Sequence, residues 1–107
     1  MFARIGEFIP KIEKKEELLK AIRNEVLPLM KKQPGFLEIL PLFPENKAEK
    51  VIVVSLWTEK RSAERYEKEL YPKVEGLLKP FVTAPVNFKH YHLETTLCQH
   101  FVESLTA

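Results

Sequence analysis

His90 and His92 stand two residues apart in Val86-Asn-Phe-Lys-His-Tyr-His-Leu-Glu94, a segment that alternates in the manner of a strand. Both imidazoles therefore project to the same side, about 6–7 Å apart by strand rise. Two imidazoles at that spacing can share a metal ion or work as an acid/base pair. No third ligand is evident: Glu94 shares their side but lies further along, and neither an HExxH segment nor a cysteine set accompanies them, since Cys98 is the lone cysteine. The pair reads instead as part of a partly polar sheet face or as lining near a pocket mouth, with no metal bound. In a chain with three glycines, no Ser/His/Asp order, glycine-rich phosphate loop or Cys/His pair stands out.

The charge pattern excludes other chemistry. A formal charge of +2 arises from 17 basic and 15 acidic residues interleaved as in Glu13-Lys-Lys-Glu-Glu17 and Glu64-Arg-Tyr-Glu-Lys-Glu69. Interleaving of this kind makes solvated faces, whereas nucleic-acid binding requires basic residues gathered on one stripe with aromatics between them. No nucleic-acid partner is expected. Nor is a membrane partner, because no apolar run approaches the roughly 18 residues of a span. The amino terminus, Met1-Phe-Ala-Arg-Ile-Gly-Glu-Phe-Ile9, alternates from the start, so it predicts a first strand rather than a signal peptide, and cytoplasmic residence is the default expectation. A single cysteine permits no internal disulfide and agrees with a reducing compartment.

The elements that must position these groups can be read in order. At 107 residues the chain is one compact domain. Residues 2–9 predict strand one. A helix follows from about Lys14 to Lys32, with Leu18, Leu19, Ile22, Val26, Leu29 and Met30 on one side at steps of three and four. Pro28 lacks the amide that would bond back to Asn24, so it is expected to kink this helix or end its regular part, and Gln33-Pro-Gly35 breaks it. Strand two is Phe36–Phe43, and the proline inside it, Pro41, marks a sheet edge. After a polar loop, strand three covers 51–58 and is apolar on both faces, which requires cover on both. A second helix is expected from a Ser62 N-cap to about Lys79, striped by Ala63, Tyr66, Leu70, Val74, Leu77, Leu78 and Phe81. Strand four runs over 86–94, where Lys89 suits a guarded edge.

The order strand, helix, strand, strand, helix, strand is the ferredoxin-like βαββαβ pattern, an α+β fold with an antiparallel four-stranded sheet. Right-handed crossovers place strands one and three at the centre and strands two and four at the edges. Both helices land on one face, and apolar side chains remain on the other. Leaving about 400 Å² of such surface wet forgoes on the order of 10 kcal/mol, so a second copy facing the sheet, a homodimer, is the economical cover. Beyond Glu94, Leu97, Phe101, Val102 and Leu105 fall at near-helical spacing. Residues 1–95 thus form the domain, and 96–107 an extension expected to pack on the domain or its partner, or to close one end of a barrel.

Gln33-Pro-Gly-Phe36 closing the first helix, the apolar strand ending in Leu56-Trp57, the following Glu59-Lys-Arg-Ser-Ala-Glu-Arg-Tyr66 and the late aromatic strand together resemble the antibiotic-biosynthesis monooxygenase domain family over about residues 1–95. The resemblance implies a dimeric α/β barrel. It also implies several activities, because the family includes cofactor-free oxygenases of polycyclic aromatics, heme-degrading enzymes, quinol oxygenases and members without a known activity. In the heme-degrading branch an asparagine on strand one, the strand-three tryptophan and an iron-binding histidine on helix two form the site. Only Trp57 matches here: strand one carries Arg4 and Glu7, and helix two carries Tyr66 and Tyr71. Heme is accordingly not expected.

For cofactor-free oxygenation the resemblance implies that an electron-rich phenol or anthrone is deprotonated and its carbanion passes an electron to O₂, the co-substrate, while the protein binds, orients and excludes water. Trp57 would then be an aromatic wall, Tyr66 or Tyr71 a hydrogen-bonding wall, and Arg4 the partner of a substrate oxyanion. Each has a structural alternative. Trp57 serves equally as a large core residue, Tyr66 as part of the apolar stripe with its hydroxyl at the rim, and Arg4 as a partner of Glu7 or Glu38. The leading expectation is a cofactor-independent monooxygenase of a small aromatic. The alternatives are a non-catalytic dimeric ligand-binding or structural domain and a heme-degrading type of oxygenase.

Overall fold

A computed structural model describes residues 1–46 and 49–97. The strands are β1 (Phe2–Phe8), β2 (Phe36–Leu42), β3 (Val51–Trp57) and β4 (Asn87–His92), joined in the order β2-β3-β1-β4 with every pairing antiparallel. The chain therefore has the ferredoxin-like α+β fold, with β1 and β3 central as the crossover rule requires. Pro41 lies on edge strand β2 opposite Val53. A bulge near the start of β2, between Phe36 and Glu38, lets Phe36 and Ile39 face the same side as their partners Trp57 and Ser55.

Helix α1 covers residues 15–31, close to the expected span, and the irregularity expected of Pro28 falls in the turn before it. It is α-helical over Lys15–Ala21, widens to a π-helix over Ile22–Val26, and is α-helical again over Leu27–Lys31. The Leu27 amide reaches back five residues to the Ile22 carbonyl, so the irregularity forced by a residue without an N–H is taken up in the turn before it and the helix continues.

The second helix is neither continuous nor capped by Ser62. Helix α2 spans Lys60–Glu69 after extended Glu59, and α3 spans Tyr71–Leu78. Leu70 (φ −115°, ψ −33°) interrupts them, because Pro72 has no amide to return to Lys68 and is accommodated only in the first turn of a new helix. Ser62 lies inside α2, against Gly35 at the end of the α1–β2 turn. There φ is +82°, and a Cβ would run into the Ser62 and Thr58 side chains.

All three helices cover one sheet face. Phe2, Val26, Met30, Trp57, Ala63, Tyr66, Tyr71 and Val74 form the larger core cluster, and Phe8, Leu18, Ile22, Val51 and Val82 the smaller. The opposite face carries Ile5, Ile52 and Val54 half-buried, with Leu40, Leu42 and Tyr91 at 39, 51 and 50% exposure. Lys89 and Lys50 reach Glu7 at its margin, at 3.3 and 3.9 Å. This is the bare apolar face read from the sequence. Among the described residues no helix is long and apolar enough to cross a membrane. Thr95–Leu97 form one 3-10 turn with Leu97 exposed. The rest of the extension, including Phe101, Val102 and Leu105, lies outside the described residues.

Candidate functional site

Strand register builds the site. Ile39, Ser55, Arg4 and His90 form one transverse row across the sheet on its helix-covered side, flanked by the row Phe36, Trp57, Phe2 and His92 and by the row Pro41, Val53, Gly6 and Phe88. Arg4 is thus held at the centre of the sheet under α2 and α3, and it is buried. A cation there requires compensation. Its Nε donates to Glu67 Oε1 of α2 at 2.6 Å, so the partner is neither Glu7 nor Glu38. Its guanidinium carbon stands 3.6 Å from the Phe88 ring centroid, 4.6 Å from that of Tyr71 and 5.1 Å from that of Tyr66. Three aromatic faces and one carboxylate together replace its water.

Glu67 Oε1 also accepts from His90 Nε2, so one carboxylate oxygen joins β1, α2 and β4. Burial would raise the Glu67 pKa, but the hydrogen bonds from His90 and Arg4 and their charges outweigh it and hold the carboxyl below its ordinary range. It is an anion at neutral pH. Burial pushes the Tyr66 and Tyr71 hydroxyls up to about 12 against the opposing pull of Arg4, so both tyrosines act as donors and not as bases. The break at Leu70 turns Tyr71 back so that its ring stacks on Tyr66, at 16° and 6.2 Å between centroids.

Trp57 lies behind this group. Fully buried, it packs on Tyr66 (5.1 Å) and Phe36 (5.4 Å), and its N–H donates to Ser55 Oγ at 3.0 Å. The space between sheet and helices is a cavity of about 50 Å³ whose walls include Arg4, Gly6, Ser55, Tyr66, Tyr71 and Phe88, while Trp57 is not among its lining residues. A water needs about 10–15 Å³ measured in this way, so the cavity holds a few waters. A groove of about 310 Å³ at the end of α3 shares Leu78 and Val86 with that cavity.

Of the residues singled out by type and spacing, Arg4, Tyr66, Tyr71 and His90 come together. His92 does not join them through Glu67: it stands one row away with its ring edge-on to Phe2 at 5.6 Å, while His90 meets the same ring at 5.8 Å. Glu94 is past the end of β4 and accepts from Thr96, apart from both histidines. Among the described residues no cluster of three His, Cys, Asp or Glu could hold a metal. Helix α2 carries Tyr66 and no histidine, so the iron ligand that the heme-degrading branch implies there has no counterpart on it.

Sequence reasoning missed Glu67, Ser55, Gly6 and Phe88. Glu67 was hidden in a charged run read as solvated. The available signal was its spacing, four residues after Ala63 and three before Leu70, on the flank of the apolar stripe. Gly6 lets Phe88 lie across β1, since a Cβ there would meet Phe88 and Val86 at 3.1 Å.

A family model described as antibiotic biosynthesis monooxygenase matches residues 1–71. No curated protein matches the sequence. Solved structures share the fold at low identity. SnoaB, a cofactor-independent oxygenase from Streptomyces nogalater, aligns at 14% identity over 91% of this chain and 96% of its own, with a TM-score of 0.70. A candidate antibiotic biosynthesis monooxygenase from Nitrosomonas europaea aligns at 16% identity over 88% and 99%, with a TM-score of 0.69. Another from Bordetella bronchiseptica aligns at 10% identity over 86% and 95%, with a TM-score of 0.73.

Proposed function

The chain belongs to the antibiotic biosynthesis monooxygenase family, and from that premise we propose that it is a cofactor-independent monooxygenase of a small phenol- or anthrone-like aromatic, working as a homodimer in the cytoplasm. The observation that carries this reading is the buried Arg4 guanidinium, faced by aromatic rings and opening on the inner cavity. A cation placed where water is scarce stabilises an oxyanion far more than one in solvent. Phe88 occupies the guanidinium face from an edge strand over Gly6. A substrate ring enters by taking its place, since the cavity as it stands takes only a few waters. Tyr66 and Tyr71 then serve as donating walls, and Trp57 sets the position of Tyr66 from behind. In the reaction the substrate loses a proton, the carbanion gives one electron to O₂, and recombination forms a C–O bond. For an anthrone, that peroxide anion takes up a proton, replacing the one first lost, and loss of water from the hydroperoxide completes R₂CH₂ + O₂ → R₂C=O + H₂O.

Oxygen consumption and product formation with a panel of hydroxylated aromatics and anthrone test this reading. Turnover by the wild type that falls at least tenfold in Arg4→Met is expected, and silence across the panel would remove it. The small cavity favours a second reading, a non-catalytic dimeric ligand-binding or structural domain, which that silence would leave standing.

A further inference from the structure

Glu67 Oε1 is the acceptor for both Arg4 and His90, and this shared atom assigns more than a structural ion pair. An ionised carboxylate can only accept. The bond to it therefore needs a proton on His90 Nε2, and in the neutral tautomer that satisfies this bond the lone pair lies on Nδ1. The His90 side chain is 42% exposed, whereas Glu67 is 29% and Arg4 7% exposed; His90 does not line the inner cavity, but it stands two residues along β4 from Phe88 and on the same face, beside the place on Arg4 that the entering ring takes. The base and the cation are each one hydrogen bond from the same oxygen, and they are neighbours in register on β4 and β1. The ring is further held against Phe2.

Resting on the oxygenase reading above, we infer that His90 is the general base that removes the substrate proton, that Glu67 is the residue positioning it, and that Arg4 receives the oxyanion formed in the same step. The proton passes from the acidic C–H or O–H of an enolisable aromatic to His90 Nδ1, and the electron pair left behind is delocalised onto the substrate oxygen beside Arg4. The imidazolium remains paired with the Glu67 carboxylate and returns its proton to solvent through its exposed edge. This follows the physical logic of a carboxylate-oriented imidazole, in which the acid fixes tautomer and direction without itself being protonated. The tyrosines do not compete for the role, because both are held protonated.

Deprotonation can be measured apart from oxygenation. Under nitrogen in D₂O, proton NMR follows exchange of the anthrone methylene with and without the protein. In air, the same mixtures report oxygen uptake. The wild type should accelerate exchange, His90→Asn should lose about a hundredfold of that acceleration, a typical contribution for a positioned base, and Glu67→Gln about tenfold. Nitrogen NMR should show the Nε2–H tautomer of His90 in the wild type and a mixture of tautomers in Glu67→Gln, a change that mere destabilisation would not produce. Circular dichroism confirms that each variant is folded. Wild-type exchange no faster than buffer, or folded His90→Asn exchanging as fast as the wild type, would overturn the assignment even if oxygen is consumed. Catalysed exchange that His90→Asn abolishes, without oxygen uptake in air, would support the base and sink the oxygenase reading instead.

Discussion

The indole N–H of Trp57 donates to Ser55 Oγ at 3.0 Å, and that hydroxyl donates in turn to the Arg4 carbonyl at 3.3 Å. The one polar group of the tryptophan is thereby satisfied within the sheet, and its ring is closed off by Phe36 and Tyr66. A residue so placed acts on the site through what it supports.

Trp57→Phe should therefore cost about 2 kcal/mol of stability, combining lost ring volume with a lost buried hydrogen bond. Urea unfolding is expected to show a lower midpoint at an unchanged slope. As Trp57 is the single tryptophan, the folded protein should emit at short wavelength and resist acrylamide quenching. Ready quenching would contradict its burial.

Glu67 is held below its ordinary carboxyl range in the folded protein. The unfolded chain then takes up the proton first, so the stability contributed by ionised Glu67 is complete above the unfolded value of about 4.3 and drains away as pH falls through the lower folded value. Glu67→Gln should be less stable than the wild type at neutral pH, and the gap should close on acidification below about pH 4. A gap that stayed constant in chemical denaturation across that range would remove the ionic role of Glu67.

Tyr66 and Tyr71 follow the opposite edge of the pH scale. Their folded pKa values of about 12 exceed the ordinary value, so the unfolded chain gives up these protons first and stability should fall as pH rises from about 10 towards 12. Tyrosinate absorbance in Tyr66→Phe and Tyr71→Phe, read against the wild type, should lose a component titrating near 12 in each case.

The exposed face of the sheet should bind a second copy. Leu40 and Leu42 on edge strand β2 project from it at 39 and 51% exposure, and a charged residue in such an interface would be buried without a partner. Sedimentation velocity should find a dimer for the wild type and a monomer for Leu40→Asp/Leu42→Asp. A monomeric wild type would remove the homodimer.

Element order, the central places of β1 and β3, the edge position of β2 and the apolar back of the sheet were all legible in the chain. Each depends on local periodicity, on where prolines lack an amide, and on the handedness of crossovers. The form of the irregularity at Pro28 and the break at Leu70 were not legible, because a proline's missing donor can be accommodated one turn upstream by a π-helix, as before Pro28, or by starting a new helix, as at Pro72. Local sequence does not decide between those outcomes.

Trp57, Arg4, Tyr66, Tyr71 and the two histidines were recognisable as chemically capable from residue type, from alternation and from the family the chain resembles. Their grouping was not. Register alone sets Arg4 between Ser55 and His90, and only the docking of α2 on the sheet aims Glu67 at both Arg4 and His90 while placing Trp57 behind Tyr66. Periodicity tells which side of an element a residue faces. The partner it meets there, and so whether a charge becomes a solvated surface group or the hub of a buried cluster, is decided by contacts between segments more than sixty residues apart in the chain.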